Sequence, residues 1–369
     1  MRVLISGGGT GGHVSPAVAI ANYLREKNKN IQIAFAGTEK GLENKVVPKE
    51  GYRLYHLKVL PFNRKKKSTY VNALIKAFTP RLEAKKIIKE YKPDVVIGTG
   101  GYVSWPVLSA AAKMKIPTVI HEQNAFPGVT TKMLAKTVDK VMISFEESRK
   151  YFRDKDKDKM IHTGNPVRQE YFDIDCGQAK KELSPGRLMI LSVGGSMGAE
   201  NINEAVINLM DKYSKKKNIT HYHVTGTRDY EKCAGIFKEK KLEACENLFL
   251  KEYLYDIYKY YAAADIIICR AGALTLTELA VLKKPAILIP SPYVAENHQY
   301  KNAAVLEKQN AALIIEEKDL TAEILADKIS ELTADPVKLS EMSKNINRFA
   351  SYDTLDKIYK TVTGLKTRK

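Results

Sequence analysis

Long hydrophobic runs are absent from this 369-residue sequence. The longest apolar stretches, around residues 261–269 and 286–290, have the length of strands, whereas a membrane-spanning helix needs roughly 18 apolar residues. The pattern of a cleavable signal peptide is also missing, because Arg2 leads directly into a short apolar run and glycines. We therefore expect neither a transmembrane protein nor a secreted one.

Cysteine is scarce, and acidic residues are fewer than basic ones. The four cysteines lie far apart, without the spacing of a metal site or a disulfide framework, which indicates a reduced, cytosolic protein without a metal. Acidic residues number 42 against 60 lysines and arginines, so the net charge is +18. This excess favours a polyanionic partner, either nucleic acid or an anionic membrane face. A generally basic surface without such a partner is the alternative.

Glycine is concentrated near the N-terminus. Residues 2–6 predict a buried strand, residues 7–13 read GGGTGGH, and a helical pattern starts at Ser15 and Pro16. A glycine turn between a strand and a helix presents backbone N–H groups and the positive helix end to an anion. The spacing G-x-G-x-x-G fits dinucleotide binding only weakly, and no Walker A lysine follows. His13 is a candidate acid–base group, with a hydrogen-bonded loop histidine as the alternative.

Strand and helix signals alternate through two halves of the chain. Strands are predicted at residues 31–36, 95–97, 117–120 and 141–143, and then at 188–193, 220–225, 248–250, 265–269 and 286–290. The glycine turn at 194–199 repeats the arrangement of strand, glycine turn and helix found at the N-terminus. We therefore predict an α/β protein with two Rossmann-like, doubly wound parallel sheets. The expected domains are 1–164 and 165–345, with a basic C-terminal helix at 346–369 returning to the first.

Residues 61–92 form a basic amphipathic segment, with ten lysines and arginines and only two glutamates. Apolar residues fall among them at helical spacing: Tyr70, Val71, Leu74, Ile75 and Phe78. Such a segment suits an anionic lipid surface. An ordinary surface helix packed on its own domain is the alternative, and nucleic acid is disfavoured because no recognised binding module is present.

A turn of small residues at 270–275 precedes a helix that carries Glu278. A carboxylate at this place complements the helix dipole, or it binds the vicinal hydroxyl groups of a ribose. Both interpretations stay open on these residues alone.

Six motifs follow one another in a characteristic order: GGGTGGH at 7–13, GGYVS at 100–104, HEQN at 121–124, GNPVR at 164–168, GGSMGA at 194–199 and CRAGALT at 269–275. In this order they resemble the MurG family of peptidoglycan biosynthesis. The resemblance implies a GT-B fold, with two Rossmann-like domains facing a cleft. It also implies an inverting hexosyltransferase that moves N-acetylglucosamine from UDP-N-acetylglucosamine to the 4-hydroxyl of undecaprenyl-pyrophosphoryl-N-acetylmuramyl-pentapeptide. Such an enzyme needs no metal or cofactor, binds no nucleic acid, and attaches peripherally to the cytoplasmic face of the cell membrane.

The resemblance also implies where the substrates bind. The donor sugar and diphosphate are expected near Thr10, Gly11, Gly12, Asn124, Arg168 and Ser196, with Gln299 on the sugar. The uridine is expected near Leu254, Gly272, Ala273, Leu274 and Thr275, with Glu278 on the ribose. His13 or Glu122 is the expected general base for the acceptor hydroxyl.

A different class of enzyme, an NAD(P)-dependent oxidoreductase, is the alternative function. Only the first glycine loop supports it, and its ribose acid would be Glu39, which lies beyond the end of the predicted second strand. A basic binding protein without catalysis is a third class, but it leaves the paired glycine loops unexplained. Titration with UDP and with NAD distinguishes the first two classes.

Overall fold

The chain divides into two compact units in a computed structural model that describes residues 1–59, 70–195 and 198–365, with only the backbone of 70–78. Unit 1 comprises Met1–Val167 and Ser351–Lys369, and unit 2 comprises Arg168–Ala350. Each unit is built around one parallel β-sheet with helices between its strands.

Strands and helices are numbered along the whole chain. The strands are β1 Arg2–Gly7, β2 Gln32–Thr38, β3 Arg53–Leu57, β4 Val95–Gly100, β5 Thr118–Glu122, β6 Lys140–Ile143, β7 Met160–His162, β8 Leu188–Val193, β9 Ile219–Val224, β10 Leu248–Lys251, β11 Ile266–Cys269, β12 Ala286–Leu288 and β13 Leu313–Ile314. The α-helices are α1 Gly11–Lys27, α2 Glu43–Lys49, α3 Tyr70–Tyr91, α4 Ser104–Lys113, α5 Val129–Leu134, α6 Asp154–Lys157, α7 Glu170–Asp173, α8 Cys176–Leu183, α9 Glu200–Tyr213, α10 Tyr230–Glu239, α11 Ile257–Ala263, α12 Ala273–Val281, α13 His298–Glu307, α14 Ala322–Ala334, α15 Pro336–Asn347 and α16 Thr354–Thr363.

The sheet of unit 1 has the order β3-β2-β1-β4-β5-β6-β7, and all its neighbouring strands are parallel. Both of its faces are covered. Val3 and Ile5 belong to one buried apolar cluster, whereas Leu4 between them belongs to another. Successive side chains of a strand point to opposite faces, so the continuous apolar sequence of β1 fits a strand buried on both sides.

The first helix begins earlier than the sequence pattern predicts. The expected start at Ser15 and Pro16 is wrong, because α1 begins at Gly11 and contains Pro16 as its sixth residue. Proline is common in the first turn of a helix, which made Pro16 a natural start signal. The consequence is that Gly11, Gly12 and His13 form the first turn of the helix rather than a loop before it.

The basic segment at 61–92 is described only in part. Residues 60–69 lie outside the described residues, as do the side chains of Tyr70, Val71, Leu74, Ile75 and Phe78. In the described half of α3, Ala84, Ile87 and Ile88 are buried in the core of unit 1, whereas Leu82 is 55% exposed. Within the described parts of the chain, no helix combines the length and the apolar character needed to cross a membrane.

The sheet of unit 2 has the order β10-β9-β8-β11-β12-β13, again with parallel neighbours. The predicted strand 188–193 and the predicted helix start near residue 200 are confirmed by β8 and α9. One face of α9, including Ile202, Val206 and Leu209, is fully buried against the sheet. Apolar residues at these spacings form one stripe of a helix, which explains why this element was predictable.

The C-terminal helix is shorter than the predicted 346–369. Helix α15 ends at Asn347, and α16 spans only Thr354–Thr363. Helix α16 packs in unit 1, where Ile358 and Val362 join the buried cluster that contains much of α1. The hydroxyl of Tyr23 on α1 donates a hydrogen bond to Asp356 at 2.5 Å.

Candidate active site

The two glycine loops occupy equivalent places in the two sheets. In unit 1, β1 lies between β2 and β4, so the strand order changes direction between β1 and β4. In unit 2, the order changes in the same way between β8 and β11. Ligands of doubly wound sheets bind beyond the carboxyl ends of the strands at such a switch point. The glycine-rich sequences after β1, β4 and β8 and the turn of small residues after β11 therefore supply the candidate site residues of the two units.

The first glycine loop places the start of α1 beyond the end of β1. Gly9 has a positive φ of +90°, which a glycine adopts without strain, and Thr10 caps the helix with an extended backbone. Thr10 and Gly12 are exposed and Gly11 is partly exposed. The first N–H groups of a helix have no partner within it, and its N-terminus carries positive partial charge. This turn is therefore suited to an anionic ligand.

Glu43 supports the first glycine loop from beneath, and the sequence analysis missed it. Its side chain is fully buried, and its carboxylate accepts hydrogen bonds from Gly9 N at 2.9 Å, Thr38 N at 2.8 Å and Thr38 Oγ1 at 2.7 Å. Burial raises the pKa of this carboxyl, but the hydrogen bonds from Thr38 and Gly9 outweigh burial and hold the pKa below its usual value. Glu43 is thus an ionised anchor for the loop.

Glycines make room for the Glu43 carboxylate. A Cβ added to Gly8 would lie 2.4 Å from Oε1, one added to Gly41 would lie 2.0 Å from Oε2, and one added to Gly37 would lie 2.6 Å from Cγ. A contact below 3.0 Å forces a displacement, so these three positions and Glu43 form one packed group. Two of the glycines lie outside the first loop, which is why no local motif revealed the group.

His13 is held against the end of β4. Its Nδ1 lies 3.0 Å from the carbonyl oxygen of Thr99, and the Thr99 hydroxyl donates to the His13 carbonyl at 2.7 Å. A Cβ on Gly100 would come within 2.7 Å of the imidazole Nδ1. The imidazole ring therefore packs on the glycine turn at the end of β4. This contact positions a titratable group at the switch point.

Glu122 and Asn124 lie at the carboxyl end of the neighbouring strand β5. The Glu122 side chain is buried, and its Oε1 accepts hydrogen bonds from Asn124 N at 3.0 Å and Asn124 Nδ2 at 3.1 Å. Its other oxygen accepts from Gly128 N at 3.0 Å, at the start of α5. Glu122 therefore shapes the loop at 124–128. Its role as a base stays a prediction.

The second glycine loop closes tightly at the end of β8. Gly195 and Gly198 have positive φ values of +89° and +91°, and Gly198 N donates to Gly195 O at 3.0 Å. A Cβ on Gly226, in the loop after β9, would lie 2.3 Å from Gly198 N. The two loops are thus in direct backbone contact before α9 begins. The predicted ligand Ser196 lies outside the described residues.

Arg168, Tyr171 and Glu278 form a polar cluster within unit 2. Glu278 lies in the second turn of α12, whose cap is Gly272. Burial raises the pKa of Glu278 to about 7, although Tyr171 and the Arg168 charge act in the opposite direction. The guanidinium of Arg168 lies 5.5 Å from the centroid of the buried Tyr171 ring. The structure therefore brings together Arg168 and Glu278, which the sequence places 110 positions apart.

The other predicted donor contacts of unit 2 lie in the loop after β10 and at the starts of α12 and α13. Leu254 is 9% exposed and follows β10, and residues 272–275 are the cap and first turn of α12. Gln299 lies in the first turn of α13, and its Oε1 accepts from Ser291 N at 2.9 Å. Asn302 on α13 donates to Ala271 O at 3.3 Å, so α13 is tied to the loop before α12.

A cavity of about 250 Å³ opens beside the loop that precedes α13. The residues that line it include Tyr293, Asn297, Tyr300 and Glu317. Glu296 and Asn297 have positive φ values of 57° and 50°, which are costly for residues with a Cβ. Backbone strain of this kind clusters at binding sites. Among the described residues, no group of three or more histidine, cysteine or acidic side chains is arranged to hold a metal ion.

Comparisons with known proteins agree with the two-unit architecture. The C-terminal domain model of glycosyltransferase family 28 matches residues 189–358, and the N-terminal domain model matches residues 3–143. Among solved structures, MurG of Acinetobacter baumannii is 28% identical with a TM-score of 0.79, and 99% of each chain is covered. The predicted fold class, α/β with two Rossmann-like parallel sheets, is confirmed.

Curated relatives match over their whole length. A UDP-N-acetylglucosamine--N-acetylmuramyl-(pentapeptide) pyrophosphoryl-undecaprenol N-acetylglucosamine transferase of Thermoanaerobacter sp. is 47% identical, over 99% of this chain and 100% of that protein. The protein of the same name from Acetivibrio thermocellus is 45% identical, over 100% of this chain and 99% of that protein. The alternative of an NAD(P)-dependent oxidoreductase finds no support among these relatives. Because two domain models and full-length relatives agree, the chain belongs to glycosyltransferase family 28 and, within it, to the MurG family of transferases.

Proposed function

We propose that this enzyme transfers N-acetylglucosamine from UDP-N-acetylglucosamine to the 4-hydroxyl of undecaprenyl-pyrophosphoryl-N-acetylmuramyl-pentapeptide, with inversion at the anomeric carbon. Its full-length relatives carry the name of that reaction. The structural observation that carries the proposal is the pair of glycine turns at helix N-termini, one with His13 and one in the unit that contains Glu278. Unit 2 then binds the donor, and unit 1 serves the acceptor and the membrane.

The donor proposal rests on charge and hydrogen-bonding capacity in unit 2. The Glu278 carboxylate, in the second turn of α12, suits the two hydroxyl groups of a ribose, which donate hydrogen bonds to an anionic acceptor. Arg168 next to it supplies a permanent positive charge for a phosphate. The helix N-termini of α9 and α12 supply N–H groups for the diphosphate. The cavity beside Tyr293 and Tyr300 offers aromatic and amide groups to the amino sugar.

Calorimetric titration with UDP tests the donor site. Glu278→Gln keeps the shape of the side chain but removes a charged acceptor, so UDP affinity should fall by about 10-fold or more, the loss of a hydrogen bond to a charged group. Glu239→Gln, an exposed glutamate of α10, is the matched control and should bind UDP like the parent. Unchanged affinity in Glu278→Gln, or tighter binding of NAD than of UDP by the parent, would contradict the donor proposal.

The reaction needs a base and a stabilised leaving group. His13 removes the proton of the acceptor 4-hydroxyl as its oxygen attacks the anomeric carbon, and the bond from that carbon to the UDP oxygen breaks. The departing diphosphate gains negative charge, which the amides and helix dipoles of unit 2 stabilise. A base at the required distance contributes roughly 10²–10⁴-fold to the rate.

Steady-state kinetics with a soluble acceptor analogue test the base. His13→Gln should lower kcat by at least about 10-fold while the donor KM and the melting temperature stay close to those of the parent. His56→Gln is the matched control, because His56 is an exposed histidine of unit 1. If His13→Gln retains full turnover, the base is Glu122 or another group.

The membrane proposal concerns the basic segment 61–92. We propose that it holds the enzyme peripherally to the anionic cytoplasmic face of the membrane, where the lipid-linked acceptor would lie. Lysines supply long-range attraction, and Leu82, exposed four positions after Phe78, continues an apolar row along α3. The buried Ala84, Ile87 and Ile88 show that the opposite face of α3 packs on unit 1.

Sedimentation with vesicles containing phosphatidylserine tests this segment. Binding that depends on lysine charge is salt-sensitive, because salt screens charge interactions over distances longer than about 8–10 Å. Replacement of Lys65, Lys66 and Lys67 by Glu should therefore abolish most of the salt-sensitive binding. Leu74→Ser with Leu82→Ser should reduce the binding that survives high salt. Turnover of a water-soluble acceptor should be unchanged in both variants. If both co-sediment like the parent, the segment is an ordinary surface helix.

A further inference from the structure

A line of hydrogen bonds runs through the core of unit 1 from His13 to the backbone of Gly164. Gln123 Oε1 lies 3.4 Å from His13 Nδ1, and Gln123 Nε2 lies 3.0 Å from His121 Nδ1. At the far end, His121 Nε2 lies 2.9 Å from Gly164 O. Gln123 and His121 are almost completely buried, and neither has a role in the proposed chemistry.

The orientation of the Gln123 amide is fixed by a partner that can only accept. Gln123 Nε2 lies 3.1 Å from the carbonyl oxygen of His121, so the amino group, with its two donors, must face that side. Its second hydrogen is directed to the His121 ring. The amide oxygen consequently faces His13. Further hydrogen bonds hold the strand end in place, since Asn165 donates to Gln123 O at 3.1 Å.

The same reasoning fixes the His121 ring. Its Nδ1 receives a hydrogen bond from Gln123 and therefore carries no proton. Its Nε2 faces the Gly164 carbonyl, so it carries the proton and donates it. Burial lowers the pKa of His121 to about 4, which agrees with a neutral ring at physiological pH.

The His13 ring has acceptors on its Nδ1 side. Both Thr99 O and Gln123 Oε1 face this nitrogen, and neither atom can donate. Nδ1 must then hold the proton of the neutral ring, and Nε2 is the basic nitrogen. In metal and catalytic sites, the hydrogen bond at one ring nitrogen sets the chemistry of the other in this way.

We infer that Gln123 and His121 are positioning residues that hold His13 in the Nδ1–H tautomer, so that Nε2 is the nitrogen that accepts the substrate proton. The anchor of the line is rigid. Gly164 has a φ of +83°, and a Cβ there would lie 2.6 Å from the Cβ of Ser351, whose hydroxyl donates to Thr163 O at 3.1 Å. The role of Nε2 rests on the proposed function, whereas the tautomer does not.

Nitrogen-15 NMR of the histidine rings tests the inference on the whole protein above pH 8, a pH more than one unit above the ordinary pKa of histidine, about 6.5. Long-range proton–nitrogen correlations distinguish a protonated from an unprotonated ring nitrogen, and the His→Gln variants assign the signals. In the parent, His13 should show protonated Nδ1, and His121 should show protonated Nε2. The opposite tautomer at either ring would overturn the inference.

Two substitutions of Gln123 separate its acceptor from its donors. Gln123→Met removes both, so the Nδ1–H preference of His13 should fall by about five-fold, as expected for one hydrogen bond, while Thr99 O still supports it. Gln123→Glu keeps the acceptor, so His13 should retain protonated Nδ1 while the His121 Nδ1 signal changes. The exposed Gln32→Met is the matched control and should leave both rings unchanged.

Kinetics on the same variants distinguish the inference from the proposed base. If Gln123→Met changes the tautomer ratio and lowers kcat without raising KM, both stand. If the ratio changes and kcat does not, the positioning inference stands and His13 is not the base. If the His13 ratio in Gln123→Met equals that of the parent, the inference is wrong whatever the kinetics show. Should Gln123→Met fail to fold, the parent and Gln123→Glu spectra decide.

Discussion

A methyl group added at Gly8 is expected to destabilise unit 1 strongly, although residue 8 has no positive φ. The new Cβ would lie 2.4 Å from Glu43 Oε1, against a practical limit of 3.0 Å. Relief requires the carboxylate to move by roughly an ångström, which breaks one or two of its hydrogen bonds to Gly9 and Thr38. Hydrogen bonds to charged groups contribute about 1.5–3 kcal/mol each, so Gly8→Ala should cost about 2–5 kcal/mol.

Urea unfolding, monitored by tryptophan fluorescence, measures the stability of unit 1. Trp105 is the single tryptophan of the chain, and it packs against the core of unit 1. With an m-value of about 2 kcal/mol/M, the midpoint of the fluorescence transition should fall by about 1–2.5 M. Gly11→Ala is the matched control, because its Cβ would lie 3.7 Å from the nearest atom, and alanine is the better helix former.

A second background tests the cause. In Glu43→Ala, itself destabilised, the obstacle is gone, and Gly8→Ala should then cost less than about 1 kcal/mol. A parental midpoint for Gly8→Ala, or an equal cost in both backgrounds, would refute the packed group around Glu43.

Three other predictions concern the stability of unit 2, which is measured by the hydrogen exchange of its peptides. Because the pKa of Glu278 is raised from 4.5 to about 7, the folded unit loses stability as the pH rises through this range. Glu278→Gln should therefore stabilise unit 2 by about 1–3 kcal/mol at pH 8 and have little effect at pH 4. Burial lowers the pKa of His221 to about 3 and of His223 to about 4, so stability should fall as pH drops from about 6.5 towards 4, and His221→Gln should make this fall shallower. Gly226→Ala should destabilise unit 2 by more than about 2 kcal/mol and weaken UDP binding, because residue 226 has a φ of +85° and contacts the second glycine loop. Gly235→Ala is the control and should have neither effect, because the space around its Cβ is open.

Much of the sheet architecture was predictable because its signals are local. The strands β1 and β8 are mainly apolar and are followed by glycines, and the apolar stripe of α9 is visible in the sequence itself. These patterns reflect a strand buried on both faces and a helix packed on one side. Reliance on local signals also explains the error at α1. Pro16 has the sequence pattern of a helix start, whereas the helix begins at Gly11.

The support of the site was not predictable, because its contacts join distant parts of the chain. Glu43 reaches Gly9 across 34 positions, and Gln123 reaches His13 across 110. No spacing rule connects such residues, since only the folded sheet brings their strands side by side. The sequence shows glycines at 8 and 37, but it does not show that the Glu43 carboxylate requires their small size.

The way unit 1 is completed has a consequence for biosynthesis. Helix α16, which buries Ile358 and Val362 beside α1, is separated from the rest of its unit by all of residues 168–350. A ribosome therefore finishes unit 2, which is continuous in sequence, before the last helix of unit 1 exists. During that interval, the apolar surface of α1 that α16 will cover stays open to water, to chaperones and to other nascent chains. We expect the emergence of α16 from the ribosome, rather than synthesis of the first 167 residues, to mark the moment at which unit 1 becomes stable.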